Sequence, residues 1–304
     1  MGICDGRVVV ITGAGRGIGR EHALEFASQG AKLVINDLGA EVDGSGSSDG
    51  PAGQVVDEVR AMGGEAVANG DDVSDYEGAG RLIQTAVDTF GTIDVLVNNA
   101  GILRDRMLVN MTIDEWDAVI KVHLRGTFAP TRHAAEFWRN RTKAGETNDA
   151  RIINTTSPSG IYGNVGQTNY GAAKAGIASF TIIAAMELER YGVTVNAIAP
   201  AALTRMTENL GGGFTPAEKN PEEFDAFDPA NIAPIVVWLG SPESAGITGR
   251  VFNVQGDHLS VAEGWVEGPA ADKGDRWDPA ELGNIVPDLV AKAAPNANMG
   301  GKRK

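Results

Sequence analysis

Cysteine is nearly absent from this sequence. The one cysteine among 304 residues is Cys4, so the chain can form no internal disulfide and no cluster of thiolate ligands for a metal. Stretches of about 20 apolar residues that would span a bilayer are absent as well. The N-terminus also lacks the basic region and long apolar run of a signal peptide. We therefore expect a cytoplasmic protein, kept in a reducing compartment, with no resident metal and no membrane insertion.

Basic residues are also few. Lysine and arginine number 26 against 40 aspartate and glutamate residues, which gives a formal net charge of −14 at pH 7. Such a charge opposes binding to nucleic acid and to anionic membrane surfaces, so we discount both as partners. The hydrophobic share of 42% and the charged share of 22% are typical of a globular protein with a full core.

Short apolar segments alternate with segments of helical pattern along most of the chain. They are nearly continuous runs rich in valine and isoleucine, which is typical of strands buried on both faces. This alternation predicts an α/β fold of the Rossmann type, a doubly wound parallel sheet with helices on both faces, from about residue 5 to 262. The predicted strands are 7–11, 32–36, 66–69, 93–97, 151–154, 193–198 and 251–254.

Two regions depart from that alternation. A glycine- and serine-rich stretch after the second strand predicts a surface loop, followed by a helix that begins near Pro51. After residue 263 the apolar periodicity fades. We therefore predict one domain over residues 1–263 and an extension over 264–304 with one short helix and a disordered end. Trp265 and Trp277 are candidates for anchoring the extension to the domain or to a neighbouring subunit.

The first strand runs into a glycine-rich turn, TGAGRGIG at residues 12–19, and a helical pattern follows at once. Gly13 permits a tight turn, Gly17 lets a phosphate approach the backbone, and Gly19 lets the helix pack closely on the strand. Free amides at the start of the helix then face an anion. A turn that binds nothing is the alternative, and the motifs that follow weigh against it.

Polar residues follow the next three strands. Asp37 lies about twenty residues beyond the glycine turn, where a carboxylate accepts hydrogen bonds from both ribose hydroxyls of an adenosine and repels a 2′-phosphate. No lysine or arginine is adjacent to Asp37, so NAD is favoured over NADP. Asp72 and Val73 are placed to contact the adenine, although a solvated acid is the alternative for either carboxylate. In the segment NNAG at 98–101, side-chain amides can connect strand ends and small residues leave space for a flat cofactor.

A hydroxyl, a phenol and an ammonium lie close together in sequence, at Ser157, Tyr170 and Lys174. Helix propensity is good from about 168 to 190, which places Tyr170 and Lys174 on one helix face. A cation beside the phenol favours the phenolate and lowers its pKa from about 10 toward the working range. Ser157 can donate to a substrate oxygen as charge develops there. The three suit proton transfer at an alcohol or ketone while a hydride moves at a nicotinamide, and a surface tyrosine–lysine pair is the alternative.

These motifs together resemble the short-chain dehydrogenase/reductase family over roughly residues 5–262. The glycine turn, NNAG, Ser157 and the Tyr-x-x-x-Lys pattern YGAAK at 170–174 agree with the family in order and spacing. The resemblance implies that Tyr170 is the general base, that Lys174 lowers its pKa and orients the ribose, and that Ser157 stabilises the oxygen. The residues predicted to contact the cofactor are Gly13, Arg16, Gly17, Ile18, Gly19, Asp37, Asp72, Val73, Asn99, Ala100, Gly101, Tyr170, Lys174 and Pro200.

Longer segments narrow the resemblance. VINDLG at 34–39, NNAGILRDR at 98–106, VHLRGTF at 122–128 and SGIYGNVGQTNY at 159–170 are similar to the dehydrogenase unit of peroxisomal multifunctional enzymes of β-oxidation. That unit is a (3R)-hydroxyacyl-CoA dehydrogenase, also known for 17β-hydroxysteroid activity. The resemblance implies NAD-dependent oxidation of a 3-hydroxyacyl-CoA, or the reverse reduction, by a homodimer or homotetramer. A hydroxysteroid dehydrogenase, a 3-oxoacyl-acyl-carrier-protein reductase and a non-catalytic cofactor-sensing module are the alternatives.

The chain departs from the family pattern at two places. His123 stands where the family usually has the asparagine of a catalytic tetrad, and it is either a core residue or part of the proton relay. The helix that carries it is predicted to begin at a capping box formed by Thr112 and Glu115. Pro200 is followed by alanine instead of the usual glycine, at the point where the family begins a mobile substrate lid, here near 201–228.

Charged and apolar side chains flank the expected substrate site. Arg104 and Arg106 follow NNAG and are candidates for contacting CoA phosphates, with solvated surface charge as the alternative. Met206, Leu210 and Phe214 are candidates for an apolar cover in the lid, with simple packing as the alternative.

Overall fold

One eight-stranded sheet runs through the protein. The computed structural model describes residues 2–41, 43, 45, 50–204, 206, 207 and 223–303. The strands are β1 Val8–Thr12, β2 Lys32–Asn36, β3 Glu65–Asn69, β4 Val95–Asn98, β5 Ala150–Thr155, β6 Val193–Pro200, β7 Val251–Gln255 and β8 His258–Val261. Their order is β3-β2-β1-β4-β5-β6-β7-β8. All neighbouring pairs are parallel except β7 and β8, which are antiparallel.

Helices cover both faces of this sheet. They are α1 Gly17–Ser28, α2 Gly50–Ala61, α3 Tyr76–Phe90, α4 Ile113–Ile120, α5 Gly126–Lys143, α6 Pro158–Tyr162, α7 Thr168–Leu188, α8 Ala233–Gly240 and α9 Leu282–Lys292. Val9 and Ile11 of β1 pack with α1, α2 and α8 on one face, whereas Val8 and Val10 pack with α3, α5 and α7 on the other. Both faces of the strand are buried, which explains its continuous apolar sequence and confirms the doubly wound fold.

The seven strands predicted from the sequence are all present, each within two residues of its predicted ends. The eighth, β8, was not predicted. It lies at the edge of the sheet, and its apolar residues Leu259 and Val261 are about half exposed, at 52% and 49%. A strand of four residues without a buried face leaves no clear pattern in the sequence.

The segment that follows NNAG forms a helix with an irregular turn inside it. The capping box is present at the start of α4: the Thr112 hydroxyl accepts from the amide of Glu115, and the Glu115 carboxylate accepts from the amide of Thr112 at 2.9 Å. Between α4 and α5 the residues Lys121–Arg125 form a π-helical turn. His123 lies in this turn, and π turns often occur at functional sites.

The helix α7 with the short turn after it, Thr168–Tyr191, is long and apolar enough to cross a membrane by length and composition. A core helix passes the same test, and α7 is packed on the sheet. Ala184, Ala185 and Leu188 join the apolar core beside α3 and α5. The feature is therefore weak evidence for a membrane span.

Buried arginines hold the sheet at the amino end of its parallel strands. Arg151, the second residue of β5, is 1% exposed. Its guanidinium forms an ion pair with Asp149 at 2.6 Å and donates to the carbonyl oxygen of Ser241 and the hydroxyl of Ser244, both at 3.2 Å. Arg7 forms a second ion pair with Asp149, at 2.9 Å. This network connects β5 to the segment that follows α8.

The C-terminal extension makes few contacts with the rest of the chain. No residue of α9 is buried, and Trp265 is 100% exposed, so Trp265 does not anchor the extension to the domain. Residues 297–303 form a hydrogen-bonded turn, and the disordered end stays a prediction. The domain boundary near residue 263 stays a prediction. Of the predicted lid residues, Met206 is described, and Leu210 and Phe214 lie outside the described residues.

Candidate active site

The glycine turn after β1 has the backbone geometry of an anion site. Gly13 and Gly17 have positive φ angles of 61° and 53°. A Cβ at Gly19 would lie 2.2 Å from the carbonyl oxygen of Gly13, so only glycine allows α1 to approach β1 this closely. The residue that precedes α1, Arg16, makes no side-chain capping hydrogen bond. Because the Arg16 side chain does not cap them, the first amides of α1 remain available for a phosphate.

Asp37 lies at the end of β2 beside this turn. Its carboxylate accepts hydrogen bonds from the amides of Gly15 at 2.8 Å and Gly39 at 2.7 Å, which fixes its orientation. It borders a cavity of about 370 Å³ that is also lined by Ala52, Ala68, Asn69 and Gly70. Small residues around an oriented carboxylate fit an adenosine with its ribose hydroxyls at Asp37.

Asp72 and Val73 occupy the loop after β3. Burial alone would raise the pKa of Asp72, but hydrogen bonds from Ser74 and the nearby Lys121 outweigh it and lower that pKa. Asp72 therefore stays anionic, with the Ser74 hydroxyl at 2.6 Å and the Lys121 ammonium at 3.7 Å. Val73 is buried in the core on the face of α3 and α5.

The two asparagines after β4 connect neighbouring strands. The side-chain amide of Asn98 donates to the side-chain oxygen of Asn154 at 2.9 Å, across the register in which β4 pairs with β5. The amide of Asn99 donates to the carbonyl oxygens of Thr12 at 3.1 Å and Gly13 at 3.0 Å. The Thr12 hydroxyl accepts from the backbone amides of Asn99 and Ala100. The ends of β1, β4 and β5 are thus held together where the glycine turn begins.

The structure brings Ser157, Tyr170 and Lys174 together at the carboxyl end of β5. Ser157 precedes α6, and its side chain lies close enough to Tyr170 to lower the pKa of the phenol. Tyr170 and Lys174 lie one turn apart on α7, with the ammonium nitrogen 5.5 Å from the centre of the phenol ring. The Lys174 ammonium donates to the carbonyl oxygen of Thr155 at 2.6 Å, and Lys174 is 3% exposed. A substrate oxygen that reaches Tyr170 therefore meets the Ser157 hydroxyl as well.

The ionisation of this pair differs from the sequence-based expectation. Burial raises the pKa of Tyr170 to about 12, although the hydrogen bond from Ser157 lowers it in part. Burial also lowers the pKa of Lys174 to about 7, so its ammonium is only partly charged near neutral pH. In the chain alone, removal of water from both groups outweighs the attraction expected between phenolate and ammonium. The groups of the chain itself therefore raise the phenol pKa.

His123 lies against Tyr170 rather than in hydrogen-bond contact with it. Its ring meets the phenol edge-on, with ring centres 5.1 Å apart. Nε2 lies 2.7 Å from the carbonyl oxygen of Ile102, while Nδ1 has no hydrogen-bond partner among the described residues. Burial lowers the pKa of His123 to about 3, so the imidazole is neutral at physiological pH. Gly101 leaves the space that the ring fills, since a Cβ there would lie 2.4 Å from His123 Cε1.

Three further predicted residues lie around the glycine turn. Pro200 ends β6, and the segment after it returns to the turn, where a Cβ at Gly17 would lie 3.5 Å from the methyl group of Thr204. Ile18 packs on the core from the first turn of α1, and Arg16 is exposed.

Two amide side chains that precede Tyr170 were not among the predicted site residues. Asn169 is fully buried: its side chain donates to the carbonyl oxygen of Arg104 at 2.9 Å and accepts from the amide of Tyr170 at 2.7 Å. Gln167 donates to the carboxylate of Asp105 at 2.6 Å. Two amide side chains within the three residues before the tyrosine were the available signal, because such residues often satisfy the start of a helix.

The arginines after NNAG have partners within the protein. The Arg104 side chain donates to the carbonyl oxygen of Asp43 at 2.8 Å. Arg106 forms an ion pair with Glu115 at 2.9 Å. Both side chains are therefore paired at the surface of the protein, and their contact with CoA phosphates stays a prediction.

Comparison with known proteins agrees with this geometry. A family model described as short chain dehydrogenase matches residues 7–212. The chain is 42% identical, over 97% of its length and 92% of the relative's, to the hydroxyacyl-CoA dehydrogenase ChsB1 of Mycobacterium tuberculosis. It is 45% identical, over 86% of its length, to the peroxisomal multifunctional enzyme type 2 of Mus musculus, of which it covers 32%. A crystal structure of a short chain dehydrogenase from Mycobacterium avium matches with 56% identity and a TM-score of 0.87, over 98% of this chain and 99% of that one. The chain belongs to the short-chain dehydrogenase family and is an oxidoreductase that acts on CH–OH donors.

Proposed function

We propose that the protein is an NAD-dependent dehydrogenase for a (3R)-3-hydroxyacyl-CoA, or catalyses the reverse reduction of the 3-ketoacyl-CoA. The observation that carries the proposal is the convergence of Ser157, Tyr170 and Lys174 at the carboxyl end of β5, on the edge of the sheet that also carries the glycine turn and Asp37. Two relatives support the substrate class, since one is named a hydroxyacyl-CoA dehydrogenase and the other is a peroxisomal multifunctional enzyme.

In this mechanism the protein holds the substrate oxygen and moves its proton. Ser157 donates a hydrogen bond to that oxygen, and Tyr170 removes the hydroxyl proton during oxidation or returns it during reduction. Lys174 would stabilise the phenolate and hold the nicotinamide ribose. A nicotinamide cofactor, when bound, supplies the hydride chemistry. His123 positions the phenol ring through its edge contact, and we assign it no proton.

The cofactor preference rests on Asp37. Both carboxylate oxygens are already oriented by backbone amides, and a 2′-phosphate placed there would meet a negative charge. We therefore propose NAD rather than NADP. The amides at residues 13–19 would hold the diphosphate, and the residues 98–101 and Pro200 would flank the nicotinamide.

The assembly and location are also proposals. Apolar side chains on α5 and α7, Phe128, Ile182, Ile183 and Met186, are between 43% and 67% exposed, which supports a homodimer or homotetramer. The net charge of −14 and the single cysteine support a cytoplasmic protein that neither inserts into a membrane nor binds nucleic acid.

The experiment is to follow reduced nicotinamide with NAD or NADP against (3R)- and (3S)-hydroxyacyl-CoA and a 17β-hydroxysteroid. We expect turnover with NAD and the 3R isomer. Tyr170→Phe should lower turnover by about 10²-fold or more with an unchanged Kd for NAD, because only proton transfer is removed. Tyr76→Phe, on α3, is the matched control and should retain activity. Unchanged turnover in Tyr170→Phe would contradict the mechanism, and turnover of the steroid alone would contradict the substrate class.

A further inference from the structure

The end of the C-terminal extension forms a turn of defined geometry. The side-chain oxygen of Asn298 accepts from the amides of Gly300 at 3.0 Å and Lys302 at 3.1 Å. The Asn298 amide donates to the carbonyl oxygen of Lys302 at 2.9 Å, and residues 297 and 303 form a short antiparallel bridge. We call this segment, residues 297–303, the terminal turn.

The terminal turn lies against Tyr162. A Cβ at Gly301 would lie 3.0 Å from the phenol oxygen of Tyr162, so the backbone of Gly301 is in contact with that ring. The same phenol oxygen accepts a hydrogen bond from the side chain of Asn253 on β7 at 3.0 Å. The contact is therefore with a side chain that the sheet itself holds in place.

Tyr162 places the terminal turn at the rim of the active site. It is the last residue of α6, the helix that begins directly after Ser157. Five residues of helix rise roughly 7.5 Å, so the terminal turn lies about the length of one short helix from Ser157. A substrate that extends from Ser157 to the surface can pass along this rim.

Two cations in the terminal turn have no carboxylate partner in the part of the chain that the structure describes. Lys302 and Arg303 are exposed, and within the described residues neither lies within 4.0 Å of an acidic oxygen. Other lysines of the extension are paired: Lys273 with Glu281 at 2.5 Å and Lys292 with Asp288 at 2.6 Å. In a protein with a net charge of −14, unpaired cations beside the active site mark a position that favours an anion.

We propose that the terminal turn binds the phosphate groups of a coenzyme A thioester. The inference rests on the proposed function and specifies which part of the substrate the extension recognises. In coenzyme A, the pantetheine arm separates the thioester from a diphosphate and a 3′-phosphate, so the phosphates remain at the surface while the acyl chain reaches Tyr170. Arg303 offers a planar fork for phosphate and Lys302 a point charge. Their backbone is held by the Asn298 hydrogen bonds, which lowers the entropic cost of binding.

The test compares two double variants of the full-length protein. Lys302→Gln with Arg303→Gln removes the unpaired cations, whereas Lys273→Gln with Lys292→Gln removes the same charge from paired positions of the extension. Calorimetry with coenzyme A itself should show that the first variant binds about tenfold more weakly and that the second differs by less than about twofold. The Kd for NAD should be unchanged in both, and the difference should shrink at high salt.

A truncated substrate gives an independent readout. An N-acetylcysteamine thioester carries the acyl group without phosphates, so its KM should be the same in the wild type and in the first variant, while the KM for the CoA thioester rises. Equal KM values for the CoA thioester in the two proteins would overturn the inference and leave the proposed function standing. Weaker binding of an acyl-carrier protein, with coenzyme A unaffected, would also overturn it and assign the terminal turn to that acidic partner. Absence of CoA thioester turnover in the wild type would instead contradict the proposed function.

Discussion

Tyr170 and Lys174 show how burial acts against charge attraction at a single residue pair. Each group has a pKa shifted toward its neutral form, to about 12 for the phenol and about 7 for the ammonium. As a proton donor in ketone reduction, a neutral phenol is already in the required state. As a base in alcohol oxidation, it needs the hydrogen bond from Ser157 and a charged Lys174 to make the phenolate accessible.

The contribution of Ser157 to that ionisation is testable. Its hydrogen bond lowers the pKa of Tyr170, so Ser157→Ala should raise this pKa and move the rising limb of the pH profile for oxidation to higher pH. At neutral pH, kcat/KM should fall by about 10²-fold. The measurement is kcat/KM for alcohol oxidation across pH. Ser159→Ala is the control, because only the backbone amide of Ser159 contacts Ser157. A lower profile with an unshifted limb would show that Ser157 acts on the substrate alone.

His22 makes the fold sensitive to acid. It is fully buried in α1, and neither ring nitrogen has a hydrogen-bond partner within the described residues. Burial lowers its pKa to about 3, whereas an unfolded histidine has a pKa of about 6.5. Between these values the unfolded chain binds a proton that the folded chain excludes, so the free energy of unfolding falls by about 1.4 kcal/mol per pH unit as the pH drops.

His22→Leu should remove this sensitivity. Between pH 7 and pH 5 the variant should lose about 2 kcal/mol less stability than the wild type, as measured by urea unfolding at both pH values. His258→Gln is the control, because it also removes one histidine but from an exposed position. Equal losses in His22→Leu and the wild type would place the acid sensitivity elsewhere, His123 being the other fully buried histidine.

At the scale of the element, the contact between α6 and α7 sets the geometry of the site. A Cβ at Gly160 would lie 2.6 Å from both the amide of Ala175 and the Cβ of Lys174. Gly160→Ala should therefore push α6 away from α7 and separate Ser157 from Tyr170. We expect the free energy of unfolding to fall by about 1–3 kcal/mol and kcat/KM to fall by about tenfold or more.

Thermal or urea unfolding and steady-state kinetics measure both effects. Gly53→Ala in α2 is the matched control, because a Cβ there meets no atom within 4 Å and its φ angle is not positive. That variant should be neutral or slightly more stable. Full activity in Gly160→Ala would show that the helices can separate without moving Ser157.

The sequence predicted elements well where burial is uniform and less well where it is not. Strands buried on both faces leave continuous apolar runs, so seven of the eight strands among the described residues were predicted, whereas the half-exposed β8 was missed. The π turn at His123 was also missed, since it accompanies a contact with Ile102, which is 21 residues away. Spacing alone placed Tyr170 beside Lys174, but it could not reveal the direction of their pKa shifts, because those shifts arise from tertiary burial.

At the scale of the whole molecule, we expect the domain to fold without the C-terminal extension. No residue of α9 is buried, and the contact of Gly301 with Tyr162 ties the far end of the extension to the domain. A chain that ends at residue 263 should therefore unfold within a few degrees of the full-length Tm and retain its Kd for NAD, because little apolar surface is lost. Its KM for a CoA thioester should rise by about tenfold, as in the terminal-turn variant.

Scanning calorimetry measures the Tm, titration with NAD measures its Kd, and steady-state kinetics measure the KM for the CoA thioester. A large fall in Tm would contradict the boundary near residue 263 and would place the extension in the cooperative core. An unchanged KM for the CoA thioester would count against the terminal turn without affecting the boundary.

The strand β5 has different tasks at its two ends. Arg151 at the start is held in a buried ion-pair network with Asp149, and the chain that leaves the other end supplies Ser157. The residues that stabilise the fold and the residue that takes part in the chemistry therefore lie at opposite ends of one strand. Substitutions near Ser157 can therefore change which alcohol is accepted during evolution. The ion-pair network of Arg151, at the opposite edge of the sheet, can stay the same and keep the fold stable.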